Sequence, residues 1–297
     1  MDIRVNSREL YTNKNIKETK IVAFSDAHCR DDKYVKRLYD LIEILKEIHP
    51  DIICVPGDFV DTIDDTVNTR EQLLDILKQI SKISKTIMSF AVHDYCSFNP
   101  DGNILIQKYF KDLESIGNSF FPVFPKETKS IELTNNINAN AFSLPIDERD
   151  YLENSPKLMN LVSPLTNGLS LSNESYNIFL CHSPLPFFNK QGVISKKELQ
   201  NEDINLIVSG HNHAEFTPKF LEKFNIALFS HGKKFKPHKY SSGLFSNSDE
   251  ELSVLISRGF LKIPGTIIGE LGMIGNMAYS LNNVMKPDID LLTLKRR

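Results

Sequence analysis

Aspartate and histidine residues recur directly after short apolar segments of this sequence. Five such segments are followed by the sequences SDAH, GDFVD, HD, CHSP and GHNH. In chain order these contain Asp26, His28, Asp58, Asp61, His93, Asp94, His182, His211 and His213. Carboxylate oxygens and imidazole nitrogens without thiolates suit manganese, iron, zinc or cobalt better than calcium. The pattern therefore predicts a site for divalent metal ions.

Two carboxylates and four imidazoles form a larger set of ligands than one tetrahedral zinc ion requires. The six residues are Asp26, His28, Asp58, His182, His211 and His213. Such a set is sufficient for two divalent ions that share one carboxylate. Two ions about 3.5–4 Å apart can hold a phosphate group and generate hydroxide from water at neutral pH. The reaction class that this chemistry predicts is hydrolysis of a phosphoester.

The segments before these residues predict the first half of an α/β fold. Continuous apolar runs at 21–24 and 52–55 are typical of buried strands. Apolar residues at helical spacing predict helices over 34–49 and 69–83, and Pro50 ends the first of these. Alternating strands and helices favour a parallel sheet, whose carboxyl ends share one edge. The residues that follow the strands should therefore meet in one crevice.

The second half of the chain predicts shorter strands with fewer helices between them. Strand-like segments lie at 130–135, 140–144, 176–181, 204–209, 225–230, 252–257 and 288–294. Two packed sheets in one layered α/β sandwich explain this pattern better than two domains do. We therefore predict a polar N-terminal segment at 1–19 and a single domain at 20–297. A polar, irregular surface insertion is expected around 147–175.

The composition is that of an ordinary globular protein, with 297 residues, 41% of them hydrophobic and 25% charged. The net charge of -3 gives no reason to expect a nucleic-acid partner. The sequence has no secretory signal and no apolar span of about 18 residues, which predicts a cytoplasmic protein. The four cysteines form no CxxC pair and are expected to be small buried hydrophobic residues.

A late apolar stretch with several glycines covers 264–287. It is interrupted by Glu270 and other polar residues, so it does not predict a membrane span. A partly buried loop and helix would explain it, and so would a patch that touches a membrane surface or a partner. The sequence does not predict the oligomeric state.

The five motifs resemble those of the calcineurin-like metallophosphoesterases. The segments that carry this resemblance are SDAH, GDFVD, HDY, CHSP and GHNH. The later segments HKYSSGLF and ISRGF are similar to the YkuE/YaeI-like branch of that superfamily. The resemblance implies a four-layer α/β/β/α sandwich of two mixed sheets. It also implies phosphoester hydrolysis by a metal-bound hydroxide at a dinuclear centre, on a small-molecule or lipid-linked substrate.

The resemblance also implies a role for each motif residue. One ion would be held by Asp26, His28, Asp58 and His213. The second ion would be held by Asp58, His182 and His211, so that Asp58 bridges the pair. His93 would lie near the phosphate, where it stabilises charge or protonates the leaving oxygen.

Position 92 departs from the family pattern. The family has an asparagine ligand before the motif histidine, whereas here Val92 precedes His93, and valine has no lone pair. Either the asparagine has been replaced or a short stretch of the loop has been lost. Both explanations predict a weaker second metal site. The alternative to an active enzyme is therefore a degenerate metallophosphoesterase that serves as a metal-binding or regulatory module.

Three further residues are candidates for supporting roles, each with two explanations. Asp61 would orient a metal-side histidine or cap its own loop. Asp94 would orient His93 or close a turn. Arg258 would contact a phosphate with both nitrogens of its fork or pair with an acidic neighbour.

Overall fold

The computed structural model describes fourteen segments of the chain: 3–29, 32–60, 67–95, 108–125, 127–134, 136–143, 171–182, 195–199, 203–210, 228–230, 233–235, 243–247, 251–257 and 287–297. Of the insertion predicted at 147–175, only 171–175 falls within these segments. The apolar stretch 264–287 lies outside them except for Pro287.

The first sheet carries the first three motifs. In spatial order its six strands are β1 (Arg4–Thr12), β14 (Asp288–Arg296), β2 (Thr19–Ala23), β3 (Ile52–Val55), β4 (Lys85–Ser89) and β5 (Phe120–Val123). Strands β2 to β5 are parallel to one another, as the strand–helix alternation predicts. Strand β14 runs antiparallel to β2 and parallel to β1, so the sheet is mixed.

Helices cover the outer face of the first sheet. The described helices in this half of the chain are α1 (Asp32–Ile48), α2 (Val67–Ile83), the single turn α3 (Val92–Tyr95) and the segment 108–114, here α4. The helical spacing of Leu38, Leu41 and Leu45 in α1 places these residues in the core with Val22 and Val55 of the sheet. The two long helices predicted from the sequence are confirmed.

The second sheet carries the remaining motifs. In spatial order its strands are β12 (Gly243–Asn247), β13 (Leu252–Ile256), β9 (Ile204–Ser209), β8 (Tyr176–Leu180), β7 (Ile137–Phe142) and β6 (Thr128–Thr134). The four central strands are parallel and both edge strands are antiparallel to their neighbours. Strands β10 (Leu228–Ser230) and β11 (Lys233–Phe235) form a separate hairpin, and α5 (Lys196–Leu199) is a single turn.

The two sheets pack face to face over an apolar core. Ile21 and Ile52 of the first sheet share this core with Ile178 and Leu206 of the second. Phe179 points to the opposite face of the second sheet and is also fully buried, so both faces of this sheet are covered. The fold is therefore the layered α/β sandwich of two mixed sheets that the sequence predicts.

The N-terminal segment contributes a strand that the sequence analysis does not identify. Strand β1 lies at the edge of the first sheet and pairs with β14 from Arg4 opposite Asp288 to Thr12 opposite Arg296. Only Leu10 and Thr12 of β1 are buried, which explains why its sequence lacks a clear apolar alternation. Its pairing is set by the neighbouring strand rather than by local pattern.

The three cysteines in the described segments, Cys29, Cys54 and Cys181, are buried, and no disulfide joins them. Burial raises the pKa of the Cys54 thiol to about 12, which keeps it protonated and unreactive. These thiols are therefore small core residues, as predicted. Within the same segments, no helix is long and apolar enough to span a membrane.

Leu292 tests the contribution of β14 to the core between the sheets. This side chain is fully buried, and we expect Leu292→Ala to lower the free energy of unfolding by about 2–5 kcal/mol. The half-buried neighbour provides a matched control, since Thr293→Ala should change it by less than about 1 kcal/mol. Urea unfolding measures both values, and equal losses would contradict the placement of β14 in the core.

Candidate metal centre

The carboxyl ends of four strands place the motif residues at one edge of the sandwich. Asp26 and His28 follow β2, and Asp58 follows β3. His93 lies on α3 after β4, and His182 follows β8 in the second sheet. The predicted convergence is therefore observed for these five residues, and it joins the two sheets at a single site.

The turns after β2 and β3 adopt a backbone conformation that most residues avoid. The φ angles are 54° at Asp26, 40° at His28 and 53° at Asp58. Asp and His tolerate this left-handed region better than most side chains, although it still costs about 1–3 kcal/mol per residue. Such strain persists only where surrounding contacts maintain it.

Backbone hydrogen bonds continue the parallel pairing of β2 and β3 into these turns. The N–H of Asp26 donates to the carbonyl of Gly57 at 3.1 Å, and that of His28 donates to the carbonyl of Asp58 at 3.0 Å. The N–H of Cys29 donates to the carbonyl of Phe59 at 3.0 Å. The first two ligand-bearing turns are thus held together by their backbones.

His182 connects the second sheet to the carboxylates of the first. Its Nδ1 donates to the carbonyl oxygen of Pro56 at 2.7 Å. That bond leaves Nε2 facing Asp58 Oδ2 at 3.0 Å and Asp26 Oδ1 at 4.0 Å. Fixing one ring nitrogen by a backbone carbonyl is the usual way to orient a metal-binding imidazole.

His28 and His93 lie together beside Asp58. Their rings meet edge to face with centroids 4.8 Å apart. His28 Nε2 is 3.9 Å from Asp58 Oδ2 and 3.9 Å from Asp26 Oδ1. His93 also contacts Asp58 through its backbone, because its N–H donates to Oδ1 at 3.3 Å.

Two groups of donor atoms result, and both include Asp58. Among the described residues, His28, Asp58 and His93 offer ligand atoms within 4.8 Å of one another, and so do Asp26, Asp58 and His182. Carboxylate oxygens and imidazole nitrogens match the preferences of divalent manganese, iron, zinc and cobalt. These residues therefore fit divalent metal binding, with Asp58 in the position of a shared ligand.

The buried charges of this cluster stabilise one another. Burial acts to raise the pKa of Asp58, but the charge and contact of His182 hold it below its ordinary value. Burial acts to lower the pKa of His182, whereas the Asp58 carboxylate raises it to about 10. A proton and a metal cation would therefore compete for Nε2 of His182.

The carboxylate of Asp94 is fully buried beneath the Asp58 turn. Its Oδ2 accepts the N–H groups of Asp58 and Ala91, both at 2.9 Å. Its Oδ1 accepts those of Phe59 at 2.8 Å and Val60 at 3.0 Å. Burial and the charge of Asp58 raise the pKa of Asp94 to about 7, while the N–H groups of Val60 and Ala91 oppose that shift.

Asp26 is supported by a serine that the sequence analysis did not single out. Ser25 donates its hydroxyl to Asp26 Oδ2, so that Oδ1 faces the histidines. Gly210 lies close to both residues, because a Cβ there would be 2.6 Å from Ser25 Oγ and 2.7 Å from Asp26 Oδ2. The position of Ser25, directly before the first motif aspartate, was the available signal.

Four predicted residues lie outside the described segments: Asp61, His211, His213 and Arg258. Their roles remain predictions. The division of the described residues between two ions also remains a prediction, because His28 Nε2 lies 3.9 Å from Asp26 Oδ1 as well as from Asp58 Oδ2.

Comparison with known proteins identifies the family. The model of the calcineurin-like phosphoesterases matches residues 19–215, which is more than half of the chain. The chain therefore belongs to the calcineurin-like phosphoesterase family, as its five motifs predicted.

Individual relatives agree with that assignment. The chain is 23% identical over 281 residues to the uncharacterized metallophosphoesterase YkuE of Bacillus subtilis (strain 168), covering 93% of this chain and 79% of that protein. This similarity agrees with the predicted branch.

Two solved structures are also similar. One is a dimetal phosphatase from Danio rerio, with 9% identity, a TM-score of 0.46 and coverage of 83% of this chain and 89% of that one. The other is TT1561 of Thermus thermophilus, with 10% identity, a TM-score of 0.45 and coverage of 82% of this chain and 92% of that one.

A substitution at Gly57 tests how closely the turn that carries Asp58 must approach its neighbours. Its φ is 95°, and a Cβ there would be 2.7 Å from the Cβ of Ala91 and 3.0 Å from His182 Nδ1. We expect Gly57→Ala to lower the free energy of unfolding by more than about 2 kcal/mol, through both strain and overpacking. It should also weaken Mn²⁺ binding, because His182 has to move.

Gly117 is the matched control for this substitution. Its φ is 120°, but no heavy atom among the described residues lies within 4 Å of the position that a Cβ would take. Gly117→Ala should therefore cost only the backbone strain of about 1–2 kcal/mol and leave Mn²⁺ affinity unchanged. Chemical denaturation and calorimetric Mn²⁺ titration of both variants measure the difference, and equal effects would contradict the close approach.

Proposed function

We propose that this chain is a metal-dependent phosphoester hydrolase that acts on a small-molecule or lipid-linked phosphodiester or phosphomonoester in the cytoplasm. The observation that carries the proposal is the sharing of Asp58 by two groups of buried and part-buried donor residues. Membership of a phosphoesterase family supports the reaction class. Manganese, iron, zinc and cobalt are the candidate metals, and two ions are proposed.

Each residue at this edge of the sandwich would have a separate role. Asp26, His28, Asp58 and His182 would hold the cations, with His211 and His213 as the further predicted ligands. Bound divalent cations supply charge neutralisation at the phosphate and lower the pKa of a coordinated water. The hydrogen bonds from Ser25 and from the His93 N–H would keep one oxygen of each aspartate fixed while the other faces the histidines.

His93 is the proposed catalytic histidine. Its ring lies against His28 at the same edge, and this contact supports a role for His93 beside a bound phosphate. In this role the ring would donate a hydrogen bond to a phosphate oxygen or a proton to the leaving oxygen.

The alternative function is that of a metal-binding or regulatory module with little turnover. The valine at position 92 favours it, because this side chain offers no ligand atom beside His93. Metal binding without hydrolysis would be its signature, so the experiments below distinguish the two functions.

Asp58→Asn tests the proposed reaction. Wild-type protein loaded with Mn²⁺ should release p-nitrophenol from bis(p-nitrophenyl) phosphate, and EDTA should abolish the release. Residues that merely support metal ligands typically contribute about 10- to 100-fold, so loss of the shared ligand should lower the rate by at least about 100-fold. The same change at an exposed aspartate of α2, Asp75→Asn, should leave the rate unchanged. Tight Mn²⁺ binding by the wild type without hydrolysis would favour the regulatory module.

His93→Phe distinguishes a catalytic histidine from a metal ligand. Phenylalanine keeps a ring beside His28 but has no nitrogen, so the rate should fall by about 10²- to 10⁴-fold as expected for loss of a proton donor. Metal content should stay at the wild-type level, because the other proposed ligands remain. Elemental analysis of the same preparation checks this, with His49→Asn as a control at the exposed end of α1, where asparagine suits the φ angle of 51°. Loss of metal would instead make His93 a ligand.

A further inference from the structure

The turn that carries Asp58 has two polar edges, and they face different partners. Its carbonyl groups, from Gly57 to Phe59, accept hydrogen bonds from the turn of Asp26 and His28. Its N–H groups, from Asp58 to Val60, point the other way and are all accepted by the Asp94 carboxylate. The turn is therefore held between the first ligand-bearing turn and one acidic side chain.

The contact between α3 and this turn is reciprocal. Asp94 accepts backbone N–H groups of the turn, while the N–H of His93 donates to the side chain of Asp58 at 3.3 Å. The same exchange of side-chain and backbone bonds stabilises the capping box at the start of a helix. Here it joins two segments about 35 residues apart in the sequence, and it fixes both the backbone and the carboxylate of the shared ligand.

The conformation of the turn requires a hydrogen-bond acceptor at the position of the Asp94 carboxylate. Gly57 at φ 95° and Asp58 at φ 53° place three successive N–H groups on one side of the chain. These groups are buried, and each one left without an acceptor would cost about 1–3 kcal/mol. A metal cation cannot accept an N–H, so cation binding at Asp58 cannot replace this support.

We propose that Asp94 is a positioning residue that holds Asp58, and through it the turn of Asp26 and His28, in the arrangement that binds metal. This inference rests on the metal site of the proposed function and extends it to a residue that is not a ligand. Each oxygen of Asp94 already accepts hydrogen bonds from two backbone N–H groups, so the carboxylate acts as a backbone acceptor. Its contribution to metal affinity is made through preorganisation of the ligands.

Asp94→Asn tests the proposal without altering any of the proposed metal-ligand atoms. The amide keeps one oxygen and places an NH₂ group against two backbone N–H donors, so the turn should relax. Support of this kind typically changes metal affinity by about 10- to 100-fold, and we expect calorimetric titration to show Mn²⁺ binding at least about tenfold weaker. Asp75→Asn is the matched control, because it makes the same change at an exposed side chain and should leave the affinity unchanged.

A second measurement separates positioning from a general loss of stability. Saturating Mn²⁺ should raise the unfolding temperature of the wild type, and we expect a smaller rise in Asp94→Asn. A purely structural role predicts the same Mn²⁺ affinity and the same rise as in the wild type, and that result would overturn the proposal.

If Asp94→Asn does not fold, Asp94→Glu decides in its place. This variant keeps both oxygens but displaces them by one methylene, so unchanged Mn²⁺ affinity would overturn the proposal and weaker binding would support it.

These measurements use Mn²⁺ alone and need no substrate. A failure of the hydrolysis experiment would therefore leave the role of Asp94 testable. Conversely, a fully active wild type whose Mn²⁺ affinity is insensitive to Asp94→Asn would overturn this inference and leave the proposed function intact.

Discussion

Two aspartates buried at the junction of the sheets impose the strongest constraint on this fold. Asp26 and Asp58 are almost completely removed from solvent, and an isolated carboxylate in such a place would be very costly. The second sheet supplies part of the compensation, since His182 reaches across to within 3.0 Å of Asp58. Packing of the second sheet on the first therefore also brings in the side chain that balances the buried charge of the site.

The convergence of Asp26, Asp58 and His182 was predictable because the signals for it are local. Each residue follows a continuous apolar run, and runs of this kind become buried strands with a common carboxyl edge. The helices α1 and α2 were predictable for a similar reason, because their apolar residues recur at helical spacing. Both signals arise because buried positions are apolar, and the positions of apolar residues can be read directly from the sequence.

The features that were not predictable depend on the backbone of distant segments. The three bonds from the Asp58 turn to Asp94 could not be inferred, because a sequence does not show where backbone N–H groups point. The two alternatives considered for Asp94 were orientation of His93 and closure of a turn. In the structure its carboxylate closes the turn that begins at Ala91, and it also bonds the turn after β3. Strand β1 was missed because Leu10 and Thr12 alone carry its buried pattern. The grouping of His93 with His28 depends on α3, a single helical turn with no periodicity to read.

The position of β14 has a consequence for how the molecule is made. This strand lies between β1 and β2, and the bond from Asn6 to Ile289 spans 283 residues. Contacts so distant in sequence form slowly, because a long loop has to close before they stabilise the chain. During synthesis, β2 emerges long before its neighbour and would wait at an open sheet edge, which is a point where chains can pair wrongly. Production of this protein should therefore be most vulnerable to aggregation in the interval before residues 288–296 have left the ribosome.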